Sequence, residues 1–460
     1  MKDRLRYAFS LQRDGALRAG TRPFRQHCRE RWARFTARRA RRRSNSTFIG
    51  VTGSSAKSTT TCLLGHILEG HGSVYLQARR NTILPVTSTA KAGKESVDYV
   101  VSELGVAQLG DMQSMSGILQ PDVAIVTLIG LDHKSAFRTR EAIAREKGAL
   151  VEAIRPGGFA LLNADDDLVM AMADRTDARI VTFGRSRDAD YRVVSATSSY
   201  PDPLSVEIVR LGGRIRIRTR LLGEHFWLSV VAAVAAATEL GVPFETIQER
   251  CATFQPVQNR CTPFETDSGP VFILDAAKAP WEALPLALRV IENAVAPRKR
   301  VVLGHISDYF GDPNPKYRDA FRAARSVSDQ VIFAGENAHR SKASQEDRES
   351  GRFIELRTAR EVHEHIEKTA VRGEVILLKS SRNLHLERVA LAWKHEVRCW
   401  IDRCGLPKDC FDCGLYETPF EEHERILRER AATARRSRWQ KRLTRLMPWP
   451  HLRFANGHRR

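Results

Sequence analysis

The run Gly50-Val51-Thr52-Gly53-Ser54-Ser55-Ala56-Lys57-Ser58-Thr59 carries the residue types from which a phosphate cradle is made. A turn that leaves a strand and opens a helix points its free N–H groups at one spot, and that spot suits phosphate. Gly53, Ser54, Ser55 and Ala56 would supply the backbone, and Lys57 would neutralise phosphate charge. Ser58, followed by Thr59, would offer its hydroxyl to Mg²⁺. The strict spacing G-x4-G-K-[ST] fails twice, because Val51 and Ala56 stand where glycines are expected. A plain Gly/Ser-rich strand–helix turn is the competing reading of these residues taken alone.

Two downstream segments support the phosphate reading. Thr127-Leu128-Ile129-Gly130-Leu131-Asp132-His133 follows the apolar run starting at Val123, and Glu103 closes the run starting at Val97. Ligands of open parallel sheets bind outside the carboxyl ends of the strands. A carboxylate and an imidazole at such ends can hold Mg²⁺ against ATP phosphates. Lys147 falls on the helical stretch 139–154, where a lysine is ordinarily a surface charge.

These residues need strands and helices in alternation to bring them together. Apolar runs at 48–51, 97–101, 123–129 and 159–162 are separated by helical segments, including 59–70, which Gly70 ends. A further helix covers about 225–240. The alternation then restarts with runs at 271–274, 300–303, 331–334 and 375–378. Such a pattern predicts parallel sheets covered on both faces. The expected architecture is α/β: a P-loop-type parallel-sheet ATPase domain over 47–257, then a smaller Rossmann-like domain over 258–396. A basic arm at 1–46, helical or disordered, precedes them, and a Cys-containing segment with a basic tail at 397–460 follows.

The net charge of +20 sits in those tails. Residues 1–46 hold 15 Lys/Arg and 3 acids, and residues 424–460 hold 12 and 2, which leaves 47–423 at −2. A nearly neutral body argues against a nucleic-acid groove. The tails read as solvated arms or as contacts to an anionic membrane surface, with Trp32, Phe35, Trp439 and Trp449 interleaved among the charges. No apolar run is long enough to span a membrane, and the Arg-rich N-terminus lacks a signal-peptide core. A cytoplasmic location follows, peripheral to the inner membrane if the tails bind lipid; a mitochondrial transit segment is the alternative. Cys399, Cys404, Cys410 and Cys413 are spaced C-x4-C-x5-C-x2-C. Four thiolates can close a tetrahedral Zn²⁺ site, though only the last pair has knuckle spacing, and reduced unliganded thiols are the alternative.

Taken in order, the motifs resemble the Mur ligase superfamily over about 47–395. The phosphate loop resembles T-G-x-x-G-K-[ST]-[ST], and Asn81 to Pro85 resembles the stretch after the family's second strand. Thr127 to His133 resembles T-N-I-G-x-D-H, and Glu141 to Lys147 resembles the helix bearing the family's carbamylated lysine. Gly158 to Asp166 resembles G-x-x-x-x-N-x-D-D, and Gln258-Asn259-Arg260 resembles the interdomain G-R. Leu274 to Pro280 resembles D-x-A-H-x-P, and Leu378 to Arg382 the late K-G-S-R. The style is nearest to the branch that adds D-Ala-D-Ala to the UDP-MurNAc-tripeptide. The resemblance implies an ATP-dependent ligase that joins a carboxylate substrate to an amino-acid or peptide amine through an acyl phosphate, in cell-wall or polymer synthesis. It implies that Lys57 holds the β/γ-phosphates and that Ser58 and Glu103 hold one Mg²⁺. His133 and a carbamylated Lys147 would hold a second. Arg260 and Asp275, with Lys278, would reach the nucleotide.

Three departures bear on that reading. Ala56 replaces glycine, and Lys278 replaces the histidine of D-x-A-H-x-P. Gly223-Glu224-His225-Phe226-Trp227-Leu228-Ser229 lacks both asparagines of the family's G-x-H-N-x-x-N, which puts the adenine pocket in question. A degenerate binding or scaffold subunit is the alternative these changes raise. Only 46 residues precede the first strand, so the substrate is expected not to be held through a UDP moiety in the family's usual way.

Overall fold

Buried apolar runs in the first half of the chain return to one edge of a shared sheet by way of helices, in a computed structural model that describes residues 22–79, 82–92, 97–131, 137–309, 311–406 and 408–446. The strands are β1 (Thr47–Thr52), β2 (Val74–Gln77), β3 (Tyr99–Glu103), β4 (Val123–Val126), β5 (Phe159–Asn163), β6 (Arg179–Gly184), β7 (Tyr191–Ser199), β8 (Asp202–Arg210) and β9 (Gly213–Arg218). Their spatial order is β2-β3-β1-β4-β5-β6-β7-β8-β9. Every residue of β3, β4 and β5 is buried. Helices therefore cover both faces there, as an all-parallel arrangement requires.

Strands β7 to β9 depart from the expected parallel alternation, because they pair antiparallel as an extension of the sheet. Their sequences contain no long apolar run; β9 reads Gly-Arg-Ile-Arg-Ile-Arg. One face of an antiparallel edge can face water, so charge on alternate residues is tolerated.

The longer helices that shape this half include α1 (Arg22–Arg42), α2 (Lys57–Leu68), α3 (Ile83–Ala92), α4 (Asp111–Leu119), α5 (Arg140–Glu152) and α6 (Trp227–Glu239). Helix α2 starts two residues before the expected start at 59. Helix α5 is capped by the Thr139 hydroxyl, which accepts the Ala142 N–H. Helix α6 is preceded by a 3₁₀ turn at Glu224–Phe226.

Over 22–42 the basic N-terminal segment is not a solvated arm but a helix packed against α3 and α4. Its anchor is Arg41, which is fully buried. The Arg41 guanidinium bonds Asp122 at 2.7 Å and the Leu119 carbonyl at 2.9 Å, and it lies 4.0 Å from the centroid of the Phe48 ring. Asp122 also accepts the Phe48 N–H at 2.7 Å, so one carboxylate ties α1 to the start of β1.

The second sheet contains β10 (Thr262–Phe264), β11 (Val271–Asp275), β12 (Lys299–Leu303), β13 (Gln330–Ala334), β14 (Phe353–Leu356) and β15 (Val375–Lys379). Its order is β10-β11-β15-β12-β13-β14, parallel except for β10. Leu221 and Leu222 of the first half share one apolar cluster with Leu288, Val290 and Ile291 of the second. The Val295 N–H also bonds the Tyr200 carbonyl at 2.9 Å. Burial of that shared cluster holds the carboxyl edges of the two sheets in a fixed relation.

Candidate functional site

The register of the first sheet collects the candidate residues at one edge. Val51 of β1 is level with Glu103 of β3, and Thr52 is level with Val126 of β4. The phosphate loop, Glu103 and the Thr127 segment therefore leave the sheet side by side. Strand β1 lies between β3 and β4, where the chain order reverses and a crevice opens.

The loop is held from beneath by the segment after β4. Thr127 Oγ1 donates to the Ser55 carbonyl at 2.7 Å, the Ser54 N–H bonds the Leu128 carbonyl at 2.8 Å, and Ser54 Oγ donates to the Gly130 carbonyl at 3.0 Å. Gly53 has φ +142°, and a Cβ there would fall 1.9 Å from Thr127 Oγ1. Only glycine fits that approach. Ala56 is left-handed, with φ 65° and ψ −11°, immediately before α2. The position demands the conformation glycine adopts freely, and an alanine occupies it under strain. Lys57 Nζ curls back over the loop and donates to the Gly53 carbonyl at 2.5 Å and the Ser54 carbonyl at 3.3 Å. Ser58 is half-buried and Thr59 buried, both in the first turn of α2.

Glu103 is 2% exposed, and its Oε2 accepts the Arg79 N–H at 2.8 Å. Lys147, where a lysine would ordinarily be a surface charge, is fully buried, with Nζ 3.4 Å from Ser54 Oγ. Its neighbours on the helix face, Ile143, Leu150 and Val151, are buried as well. Such burial of an ammonium demands polar or anionic company. A buried carboxylate and a buried lysine beside the phosphate loop fit a Mg²⁺ site, with the lysine becoming an anionic ligand if it takes up CO₂ as a carbamate. His133 lies outside the described residues.

Asn163 and Asp166 also shape this edge. Asn163 Nδ2 donates to the Thr127 carbonyl at 2.7 Å, and Asp166 Oδ2 accepts the Ile129 N–H at 2.7 Å. They hold the loop that leads to 132–136.

The second sheet presents its own carboxyl edge. Asp275 closes β11 level with Lys379 at the end of β15, and Lys379 Nζ lies 2.5 Å from Asp275 Oδ2. Lys379 Nζ also donates to the Lys278 carbonyl at 3.0 Å, while the Lys278 side chain is exposed. Lys379 is thus a buried cation at the site that was not singled out from sequence. Arg260 is half-buried in the segment linking the sheets, next to the fully buried Asn259. His225 is half-buried nearby. Burial pushes its pKa down to about 4, with Asp275 opposing that shift and Lys379 reinforcing it. The Glu282 carboxylate approaches Gly130, so the second half of the chain overhangs the first sheet's edge.

Cys399, Cys404, Cys410 and Cys413 line a separate small cavity together with His385. Among the described residues, His385, Glu387 and Cys410 bring donor atoms within 4.8 Å of one another at this cavity. His385 and Glu387 precede the cysteine run, and only the fold reveals them as its partners.

Residues 51–237 match the Mur ligase middle domain family. A UDP-N-acetylmuramoyl-tripeptide--D-alanyl-D-alanine ligase of Mycobacterium leprae (strain TN) is 30% identical over 262 residues, 54% of this chain and 50% of that protein. The ligase of the same name from Bacillus subtilis (strain 168) is 24% identical over 346 residues, 74% of each chain. The match thus spans about half the length of the mycobacterial relative. Among solved structures, a crystal structure of MurF from Acinetobacter baumannii superposes with a TM-score of 0.71 at 24% identity, covering 79% of this chain and 80% of that one. Folylpolyglutamate synthase of Mycobacterium tuberculosis superposes with a TM-score of 0.59 at 16% identity, covering 78% and 93%.

Proposed function

We propose, from the match of residues 51–237 to the Mur ligase middle domain and the motifs around it, that the chain is an ATP-dependent carbon–nitrogen ligase that activates a carboxylate as an acyl phosphate and passes it to an amino-acid or peptide amine. The observation that carries this reading is the shared edge where the phosphate loop, the buried Glu103 and the buried Lys147 meet. The D-alanyl-D-alanine ligases among its relatives make a peptidoglycan precursor the first acid to test.

In the first step a carboxylate oxygen attacks the γ-phosphorus of ATP and ADP leaves. In the second, the amine nitrogen attacks the acyl carbon. Phosphate departs with the original carboxylate oxygen, and the amine proton goes to solvent. Carboxylate is a poor electrophile, and phosphorylation gives it a leaving group; the protein supplies position and charge. Lys57 swings from the Gly53 carbonyl to the β/γ-phosphates, while the N–H groups from Ser55 to Thr59 cradle them. Ser58 and Glu103 would hold one Mg²⁺, and His133 with carbamylated Lys147 a second, which together offset phosphate charge. Arg260, Asp275 and Lys278 act from the second sheet, and Lys379 fixes Asp275.

Beyond the ligase chemistry, we read the cavity lined by the four cysteines as a Zn²⁺ site. Helix α1 reads as a peripheral contact to an anionic membrane at the cytoplasmic face. Trp32 and Phe35 are 67% and 61% exposed on it, and Lys91 Nζ sits 5.9 Å from the Trp32 ring centroid. Among the described residues no helix is long and apolar enough to cross a membrane. Salt-insensitive failure to sediment with phosphatidylglycerol vesicles would remove the membrane reading.

The ligase reading is tested by phosphate release across a panel of acids and amines. An acid–amine pair should stimulate release, and Lys57→Ala should slow it by about 10²–10³ with an unchanged circular-dichroism spectrum. The strained Ala56 favours one rival, a degenerate scaffold subunit, and absence of ATP binding at millimolar ATP with Mg²⁺ would select it.

A further inference from the structure

The segment that carries the four cysteines has little regular structure of its own. Between Glu396 and the C-terminal helix at His423–Leu446 its described residues form only the short turn Cys410–Cys413 and a 3₁₀ turn at Phe420–Glu422. Its thiols are all free, and Cys399 and Cys410 are almost fully buried. A loop-rich segment with so little core of its own needs another tie.

Three donors meet inside it at spacings suited to a tetrahedral ion. Glu387 Oε1 lies 3.3 Å from His385 Nδ1, and Cys410 Sγ lies 3.6 Å from the same nitrogen. With metal bonds of about 2.0–2.3 Å, two ligands of one Zn²⁺ stand roughly 3.3–3.7 Å apart. Glu387 is fully buried, yet its Oε2 has no hydrogen-bond partner among the described residues. An unpaired buried carboxylate oxygen is costly and points to a missing cation. Cys413 lies three residues after Cys410 on the same helical turn and lines the same cavity. That spacing turns both thiols to one side. Arg388 Nε donates to Cys410 Sγ at 3.1 Å, and Cys404 Sγ lies 3.2 Å from His385 Nε2. These two form the outer layer that orients the ligands.

The same turn grips the first sheet. Asp409 caps it by accepting the Asp412 N–H at 2.8 Å, and its other oxygen takes the Arg79 guanidinium at 2.7 Å. Asp412 adds a second contact to Arg79 at 3.2 Å. Arg79 has a left-handed φ of 66°, and its N–H is the group that bonds Glu103. A chain of direct contacts therefore runs from the thiol cavity to the carboxylate beside the phosphate loop.

We infer that His385, Glu387, Cys410 and Cys413 bind one Zn²⁺, and that the ion locks the Asp409 turn onto Arg79 so that Glu103 is held in place for Mg²⁺. The second half of this inference rests on the ligase reading; the first does not. Binding replaces the thiol protons of Cys410 and Cys413, which pass to solvent, and involves no redox change.

The test begins with metal analysis of the full-length protein as purified. About one zinc per chain is expected, retained in Cys399→Ser and Cys404→Ser and lost in Cys410→Ser, Cys413→Ser and His385→Gln. Should one of those three variants fail to fold, Co²⁺ exchanged into the wild type gives the same information. Tetrahedral visible bands with a moderate sulfur-to-cobalt charge-transfer band are expected. A four-thiolate spectrum, or zinc lost on removing Cys399 or Cys404, overturns the ligand set; absence of zinc and of cobalt uptake overturns the site. Asp409→Ala should keep its zinc but raise the Mg²⁺ half-saturation of phosphate release about tenfold with kcat little changed. An unchanged Mg²⁺ requirement overturns the link to Glu103. If no acid stimulates release at all, the ligase reading fails while the metal analysis stands.

Discussion

Ala56→Gly should stabilise the protein and tighten its hold on ATP. Ala56 sits at φ 65° and ψ −11° before the first turn of α2. An L-residue pays about 1–2 kcal/mol for the left-handed region that glycine does not. Glycine loses more freedom on folding, which offsets about 0.4–1 kcal/mol of that gain. The net expectation is a gain of about 0.5–1 kcal/mol, or roughly a two- to fivefold larger folding constant. The neighbouring contact from Ser229 Oγ to the Ala56 carbonyl at 3.3 Å uses backbone and survives the change. Urea unfolding reads the difference as a higher midpoint at constant m, and titration calorimetry with MgATP reads the affinity, which rises as the Cβ no longer obstructs phosphate. Ala56→Val is the control in the other direction, since a β-branched residue is worse at positive φ. A lower urea midpoint for Ala56→Gly, or weaker ATP binding at equal stability, would refute the reasoning.

Gly53→Ala should lose several kcal/mol of stability or collapse the loop, because the new methyl falls 1.9 Å from Thr127 Oγ1, a group tied to the Ser55 carbonyl; near-wild-type unfolding with intact ATP binding would show that the loop is softer than its geometry implies. His225 should make the protein acid-sensitive. Its folded pKa is about 4, against about 6.5 unfolded. Above the unfolded value it is neutral in both states, and as pH falls below it only the unfolded chain takes the proton. Roughly 2 kcal/mol of stability is therefore lost between pH 7 and pH 5 through this group, and about 3 kcal/mol by pH 4. His225→Asn should flatten that part of the stability–pH curve, and an unchanged slope would count against the assignment.

Strands β1, β3, β4 and β5 around the phosphate loop were legible from apolar runs, because fully buried parallel strands leave unmistakable blocks such as Val-Ala-Ile-Val at β4, whereas β2 and β6, only partly buried, left none. Strands β7 to β9 were not legible, since alternating arginines conceal an edge strand from any search for apolar runs. Lys147 was picked out through the motif it shares with the family, and its burial on the same face of α5 as Ile143 and Leu150 was open to helical periodicity as well. Lys379 could be quoted as part of a motif, but its partner Asp275 is 104 residues away and only the sheet register brings them level. The spacing of the cysteines raised the question of a metal site, whereas His385 and Glu387 raised nothing, because an isolated histidine and glutamate have no local signature. Arg41 looked like one charge among many in a basic tail. Only its bond to Asp122 distinguishes it.

The most direct measurement of the central claim is the fate of carboxylate oxygen. The acid that stimulates phosphate release is labelled with ¹⁸O in its carboxylate and turned over with ATP, Mg²⁺ and the amine, and the released phosphate is examined by mass spectrometry. An acyl-phosphate ligase transfers one labelled oxygen to each phosphate and releases ADP, and Lys57→Ala should lower the rate by about 10²–10³. Unlabelled phosphate, or label appearing in AMP instead, would contradict the account.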